Sequence, residues 1–304
     1  MLSVYTSALY CVGDDLIREG VARLTDTEDE ATVWISKSTA TVGGKTGMMW
    51  SCDPYMPDLR ELLPLCRAFV VAGTPSWLNS PAAPLLRCIE TKTPVWMIGV
   101  GKKQGNVALL QTLVQNGLLA VATARDEQAA ETLGSAGVTA PIFLDPAFHA
   151  TYPPVPKTRD IVFCFAPSSA AETTALYEAH KGRIDLVVVH SPHEIAMCRD
   201  VLGVVPYFNH EYTAYKAIYG SCKCYMGGRL HGAIATIAQG GEAHVLYSAP
   251  KRDMLKRWEG RLPIAVEHAC DWQKIKPGLP RDGVAELLAA DFAAHAAYLR
   301  AHTR

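Results

Sequence analysis

The chain has 304 residues, more than the ~250–300 at which a single hydrophobic core stops growing, so two domains are expected. Hydrophobic residues make up 49% and charged residues 19%, and a formal net charge of −1 argues against nucleic acid as a partner. No apolar run reaches the ~18–20 residues of a bilayer span, and the opening MLSVYTSALYCVGDD has neither a basic n-region nor a cleavage site, so a cytoplasmic protein is expected.

Short β-rich apolar runs alternate with amphipathic helical stretches, the pattern of a parallel sheet with helical crossovers. The first set of expected strands is SVYTSALYCV, ATVWISK, AFVVAG, VWMIGVG, LLAVATA and PIFLD. Helices such as LIREGVARL, LLQTLVQNG and EQAAETLGSAG lie between them. YPPVPKTRD, residues 152–160, then interrupts the pattern with three prolines that suit neither a central strand nor a helix interior. This places the expected domains at 1–155 and 156–304. The second set runs IVFCFA, IDLVVVH, VVPYF, KCYMG and HVLYS, with helices that include HEIAMCRDVLG and YTAYKAIYG. The closing GVAELLAADFAAHAAYLRAH has helical apolar spacing and is expected to pack back onto one of the sheets.

Open parallel sheets bind ligands outside the carboxyl ends of their strands, so functional residues should directly follow strands. Gly13-Asp14-Asp15 follows the first expected strand, Gly73-Thr74-Pro75-Ser76-Trp77 the third, and Arg125-Asp126 the fifth. The richest position is MGGRLHGAIATIAQG, residues 226–240, where a strand meets a Gly-Gly turn and an Ala-rich helix. Arg229 and His231 are expected in the first helical turn, where unpaired N–H groups and the helix dipole favour an anion. Gly227, Gly228 and Gly232 would let that anion approach the backbone. The bland alternative is an ordinary strand-to-helix turn whose arginine pairs with an acidic side chain.

Nine cysteines at irregular spacing contain no CxxC pair, which points to reduced thiols. Cys222-Lys223-Cys224 and His190-Ser191-Pro192-His193 do not match the spacing of a tetrahedral metal site, so no metal is expected. GVGKKQGN, residues 99–106, is not GxGxxG and no acidic ribose partner follows, so its glycines are expected to serve close packing.

In order and spacing, Val12-Gly13-Asp14-Asp15, AGTPSWL at 72–78, GVGKKQGN, ARDEQAAETLGSAGV at 124–138, LDPAF at 144–148, RLHGAIATIAQG at 229–240 and Lys251 resemble the polysaccharide pyruvyl transferase family. The resemblance implies an α/β fold of the GT-B type, with two Rossmann-like domains whose mainly parallel sheets face each other across a cleft. It departs at Cys11, where family members usually carry Asn. The activity it implies is transfer of the pyruvyl unit of phosphoenolpyruvate, as a ketal, to a sugar-containing acceptor. Phosphoenolpyruvate would be a co-substrate and no cofactor is expected.

A donor with a phosphate and a carboxylate needs several fixed cations. The resemblance points to Arg229 and Lys251 for this task, and Arg125, at the end of a strand, could close over the donor from the opposite side; Leu230, in the RLH motif, is a further donor-binding candidate. His231 is the candidate acid, since imidazole can give a proton near neutrality; its bland role is to cap the first turn. Asp14 is the candidate base for the acceptor hydroxyls, and either it or Asp15 could be the helix N-cap instead. Asp15, Thr74 and Trp77 are candidate acceptor contacts, Trp77 by stacking on a sugar face. Residues 37–58, long and Gly-containing, are a candidate lid that selects the acceptor. Alternatives are a GT-B glycosyltransferase using a nucleotide sugar, or a non-catalytic glycan- or anion-binding member that works as an assembly subunit. A homo-oligomer stays open.

Overall fold

In a computed structural model of the chain, the described residues are 2–6, 12–28, 32–36, 59–73, 77–79, 81–101, 107–166, 170–246, 257–267 and 278–303. They form two compact units. Met1–Tyr10, Asp14–Ala150 and Ala290–Arg304 make the first; Cys11–Gly13 and Thr151–Ala289 make the second.

The first unit carries β1 (Leu2–Thr6), α1 (Val12–Thr25), β2 (Thr32–Ser36), α2 (Leu59–Leu62), β3 (Ala68–Ala72), α3 (Ala82–Thr91), β4 (Val95–Val100), α4 (Val107–Gln115), β5 (Leu119–Ala124) and α5 (Glu127–Gly134). Its strands lie in the order β2-β1-β3-β4-β5, and every pairing is parallel. Every residue of β3 and β4 is buried, as a sheet covered on both faces requires. Phe69, Val71, Met97, Leu110 and Leu113 form the centre of its core.

The second unit carries β6 (Arg159–Cys164), α6 (Ala170–His180), β7 (Ile184–Val188), α7 (His193–Leu202), α8 (Tyr212–Ser221), β8 (Cys222–Gly227), α9 (Leu230–Ala238), β9 (Glu242–Leu246) and β10 (Ile264–Glu267). The order is β10-β9-β8-β6-β7, again all parallel. Counted within each unit, both sheets have strand order 2-1-3-4-5. In such a sheet the connections leave in opposite directions at the pair formed by the first and third strands, and the crevice opens at their carboxyl ends. The pairs are β1/β3 in the first unit and β6/β8 in the second. Helix α10 (Val284–His302) closes the chain. Its portion from Ala290 belongs to the first unit, where His295 Nε2 lies 3.0 Å from Thr123 Oγ1 on β5.

Two expected strands are not strands. PIFLD makes a single bridge, Ala124 to Ile142, and VVPYF makes a single bridge, Val188 to Tyr207. Pro141 and Pro206 each remove an N–H that a continued ladder would need. Conversely, β10 adds a strand at the short run IAVE. Of the first expected strand, the part up to Thr6 lies in β1 and Val12 already belongs to α1, residues 7–11 lying outside the described residues.

Candidate functional site

The carboxyl end of β8 leads directly into the RLH segment. Arg229 is the N-cap of α9, with extended backbone and no side-chain cap, and the helix proper starts at Leu230, itself buried. Arg229 therefore stands just before the helical turn expected to contain it, whereas His231 stands inside that turn. The first N–H groups of a helix lack intrahelical partners, so this start is suited to an anion.

Arg229 is held at both ends. The Tyr225 hydroxyl accepts from the Arg229 N–H at 3.1 Å and donates to the Arg229 carbonyl at 2.6 Å, fixing the backbone of the turn. Burial raises the Tyr225 phenol well above its ordinary pKa, so it stays protonated and able to donate. At the far end, Nη2 pairs with Oε1 of Glu194, whose other oxygen accepts from the His190 N–H at 3.0 Å. The Glu194 side chain is fully buried and that of Arg229 is 33% exposed. Nε of Arg229 is buried and makes no hydrogen bond among the described residues. The fork is thus anchored through Nη2, and part of the side chain stays exposed.

The arrangement continues inward. His190 bonds the Tyr219 hydroxyl at 2.5 Å, and the Tyr215 hydroxyl donates to the Val189 carbonyl. Glu194 sits in the first turn of α7, one helix before α8, and local spacing does not connect it with Arg229. It is a residue that sequence reasoning missed. The Arg-plus-acid pairing was the bland reading of the turn, and the observed pair combines that pairing with a partly exposed guanidinium.

The glycines of the turn serve the protein's own packing. A Cβ on Gly232 would lie 2.4 Å from the Tyr225 ring, and one on Gly227 would lie 2.3 Å from the Cys164 carbonyl oxygen. The expected approach of a ligand to these positions is therefore corrected: the adjoining space is filled by Tyr225 and by β6. Gly13 belongs with the second unit, and a Cβ there would lie 2.0 Å from Nδ1 of His231, which is half-buried. Any side chain at position 13 would displace the imidazole.

In the first unit the candidate residues are engaged differently. Arg125, 5% exposed, pairs through Nη1 with the buried Asp145 carboxylate and donates to the Gly73 carbonyl at 2.7 Å. This fixes the ends of β3 and β5 against the LDPAF segment, and the guanidinium expected to reach the donor is instead built into the interior. Asp14 and Asp15 are both buried in the first turn of α1, which starts at Val12, so neither is the N-cap. Asp15 pairs with Arg18 at 3.0 Å, and Arg18 also donates to the Thr6 hydroxyl. Trp77 has no exposed surface and belongs to the core with Phe69 and Leu85. Its ring presents no face to a sugar, which corrects the stacking expectation. Asp126 caps α5, accepting from the Ala129 N–H at 2.8 Å. Gly99, at φ +60°, meets the Pro146 ring, and Gly101 meets Arg125 Nε, the close packing expected of these two glycines. Lys251, Thr74, Cys11 and the 37–58 segment lie outside the described residues.

Cys222 and Cys224 are buried on β8, where burial raises both thiols, so they remain protonated. His193 opens α7 with Nδ1 2.7 Å from Ser191 Oγ. Although no metal cluster is visible in the spacing, two groups of potential ligands do converge: His149, Asp291 and His295, and Cys224, Glu242 and His244.

Two parallel 2-1-3-4-5 sheets, with a cation-bearing helix start at the switch point of the second, define a GT-B-type α/β protein. Solved structures agree in fold. UDP-GlcNAc 2-epimerase from Methanocaldococcus jannaschii aligns with TM-score 0.55 and 8% identity over 95% of this chain and 98% of its own. The glycosyltransferase SnogD from Streptomyces nogalater aligns with TM-score 0.54 and 13% identity over 100% and 99%. UDP-GlcNAc 2-epimerase from Neisseria meningitidis, solved with UDP-GlcNAc bound, aligns with TM-score 0.52 and 9% identity over 96% and 99%. At such identities the likeness is one of fold. No curated protein matches the chain in sequence. The polysaccharide pyruvyl transferase family model matches residues 47–250, and the chain belongs to that family. Among the described residues, no helix is long and apolar enough to cross a membrane.

Proposed function

We propose that the protein transfers the pyruvyl unit of phosphoenolpyruvate to two hydroxyls of a sugar-containing acceptor, releasing phosphate and forming a ketal. The observation that carries this reading is Arg229: it caps α9 at the switch point, is anchored by the buried Glu194, and keeps a third of its side-chain surface exposed. A planar fork held in this way suits a carboxylate or phosphate, and the N-terminus of α9, with the Leu230 backbone, adds its dipole.

His231 then serves as acid. Protonation at C3 of the enol gives C2 carbocation character; one acceptor hydroxyl adds to C2, the C–O bond to phosphate breaks, and the second hydroxyl closes the ketal. The two hydroxyl protons leave to a base, and Asp14 is the residue proposed for that role. Cations and proton transfer suffice for this cleavage, so the transfer itself needs no cofactor. Lys251 completes the proposed donor contacts by its match to the family pattern. Arg125 is reassigned from donor contact to positioning, since its charge is spent on Asp145. The proposed acceptor contact is Thr74; Asp15, buried and paired with Arg18, is reassigned to holding the start of α1.

The test is a panel of glycosides and nucleotide sugars incubated with phosphoenolpyruvate. The reading expects phosphate release matched by an acceptor mass gain of one pyruvate less one water. It also expects phosphoenolpyruvate to raise the melting temperature, because a ligand that binds the folded state stabilises it. Stabilisation by nucleotide sugars and not by phosphoenolpyruvate overturns it in favour of glycosyl transfer.

A further inference from the structure

Helix α10 carries Asp291 and His295 one turn apart, and i, i+4 residues share a helix face. Both meet His149, the last residue of the short Pro146–His149 helical turn in the first unit. His149 Nε2 lies 2.9 Å from Asp291 Oδ2. One ligand atom from each of the three residues lies within 4.8 Å of the others. The two imidazoles are buried and the Asp291 side chain is 18% exposed, which leaves a way in from solvent.

His295 shows why the group is more than a hydrogen-bonded contact. Its ring stacks on Phe143 at 4.3 Å and 10°, and its Nε2 faces Thr123 Oγ1 at 3.0 Å. The same Thr123 oxygen accepts the Gly99 N–H at 2.9 Å. Stacking and the Thr123 contact fix the ring plane and engage one nitrogen, while Nδ1 is buried with no hydrogen-bond partner among the described residues. A buried nitrogen left unsatisfied is costly. With the Nε2 proton on Thr123, Nδ1 presents a lone pair, the arrangement seen when a metal-ligating histidine is oriented by a second hydrogen bond.

We propose that His149, Asp291 and His295 form a binding site for a divalent transition-metal ion, Zn²⁺ by preference, that fastens α10 to the LDPAFH segment. Two imidazole nitrogens and one carboxylate are a fitting donor set for Zn²⁺, with a fourth position for water. Tetrahedral Zn²⁺ with bonds of about 2.0–2.1 Å needs ligand atoms about 3.3 Å apart, and His149 Nε2 and Asp291 Oδ2 already lie 2.9 Å apart. The role is structural: none of the three residues belongs to the RLH segment, and the inference does not depend on the transferase reading. Asp291 also accepts the Leu144 N–H at 3.2 Å, but the second group, Cys224, Glu242 and His244, is more heavily engaged. There the Glu242 oxygens already accept from Gly278 and Leu279 N–H at 2.9 Å and from Arg281 at 3.2 Å, and burial keeps the Cys224 thiol protonated.

The experiment uses the full chain without a histidine tag, stripped with a chelator and titrated with Zn²⁺ against a chromophoric competitor. Co²⁺ then serves as a spectroscopic reporter. Wild type is expected to take up one equivalent, to gain melting temperature with Zn²⁺, and to give visible Co²⁺ bands of a four-coordinate site. Asp291→Asn keeps an oxygen for the Leu144 N–H and should weaken binding by at least about 10-fold; Thr123→Val, which frees His295, should do so by about 10–100-fold. His295→Phe keeps the stack on Phe143 and should abolish the Co²⁺ bands. A folded wild type that takes up no equivalent overturns the proposal, as does undiminished binding by folded Asp291→Asn and His295→Phe chains. Should a variant fail to fold, wild-type stoichiometry and the Co²⁺ spectrum decide.

Discussion

The two units share one topology and use it differently. At the β1/β3 end of the first, the described cations are consumed internally: Arg18 by Asp15 and the Thr6 hydroxyl, Arg125 by Asp145 and the Gly73 carbonyl. At the β6/β8 end of the second, Arg229 is tied at one nitrogen and keeps a third of its surface exposed. Strand order determines where a crevice opens; whether it can hold an anion depends on how fully its guanidinium groups are already paired. Two arginines that read alike in sequence, each just past a strand, therefore differ in kind.

Substitutions on either side can break this comparison, and the largest effect is expected in the second unit. His231→Ala should lower kcat by about 10²–10⁴-fold with donor KM nearly unchanged, since a general acid acts in the transition state. His231→Gln, similar in size and still a hydrogen-bond donor, should be almost as slow. Steady-state kinetics at saturating donor check this; near wild-type turnover in His231→Gln would reduce the residue to a positioning role.

In the first unit the corresponding effect should fall on stability. Arg125→Met leaves the buried Asp145 carboxylate unpaired, which typically costs about 3–5 kcal/mol, and donor KM should not move in protein that remains folded. Denaturant melts and kinetics on the same preparation separate the two. A raised donor KM with intact stability would return Arg125 to the donor site.

A pH series sharpens the account of the second unit's frame. Burial alone would raise the Glu242 carboxyl, but the neighbouring His244 and hydrogen bonds from Gly278, Arg281 and Leu279 outweigh it and bring the group to about 2, below its ordinary 4.5. A carboxylate lowered on folding adds stability above pH 4.5 that is lost as pH falls toward 2, here up to about 3 kcal/mol. Glu242→Gln should flatten acid destabilisation over that interval; an unchanged pH profile would show that the carboxylate is not stabilised by folding. The smallest expected effect is that of Glu194→Gln, which keeps the shape but loses the charge beside Arg229. Donor KM should rise by about 10-fold with kcat largely kept, whereas a loss of kcat alone would contradict a positioning role.

Strands buried on both faces were legible in the sequence, because runs such as Ala68–Ala72 and Val95–Val100 must be continuously apolar there. PIFLD and VVPYF look the same by composition, yet their prolines interrupt the ladder, while IAVE, a run of four residues directly following Pro263, was too short to stand out. Arg229 and His231 were legible because a strand, a glycine turn and a helix are local features. Glu194 was not, lying 35 residues from the guanidinium it holds. His149 and Asp291 are 142 residues apart, so their meeting is a product of the fold. Trp77 shows the opposite failure: a Trp at a strand end suggests a stacking surface, and burial among Phe69 and Leu85 removes it.

The central claim is that the donor anion is held at the second unit's switch point by Arg229. Calorimetric titration of phosphoenolpyruvate onto wild type, Arg229→Ala and Arg229→Lys tests it most directly. The account predicts one binding event in wild type, a loss of about 100-fold or more in Arg229→Ala, and poor rescue by lysine, whose point charge cannot reproduce the fork. Binding of equal strength in folded Arg229→Ala would contradict it.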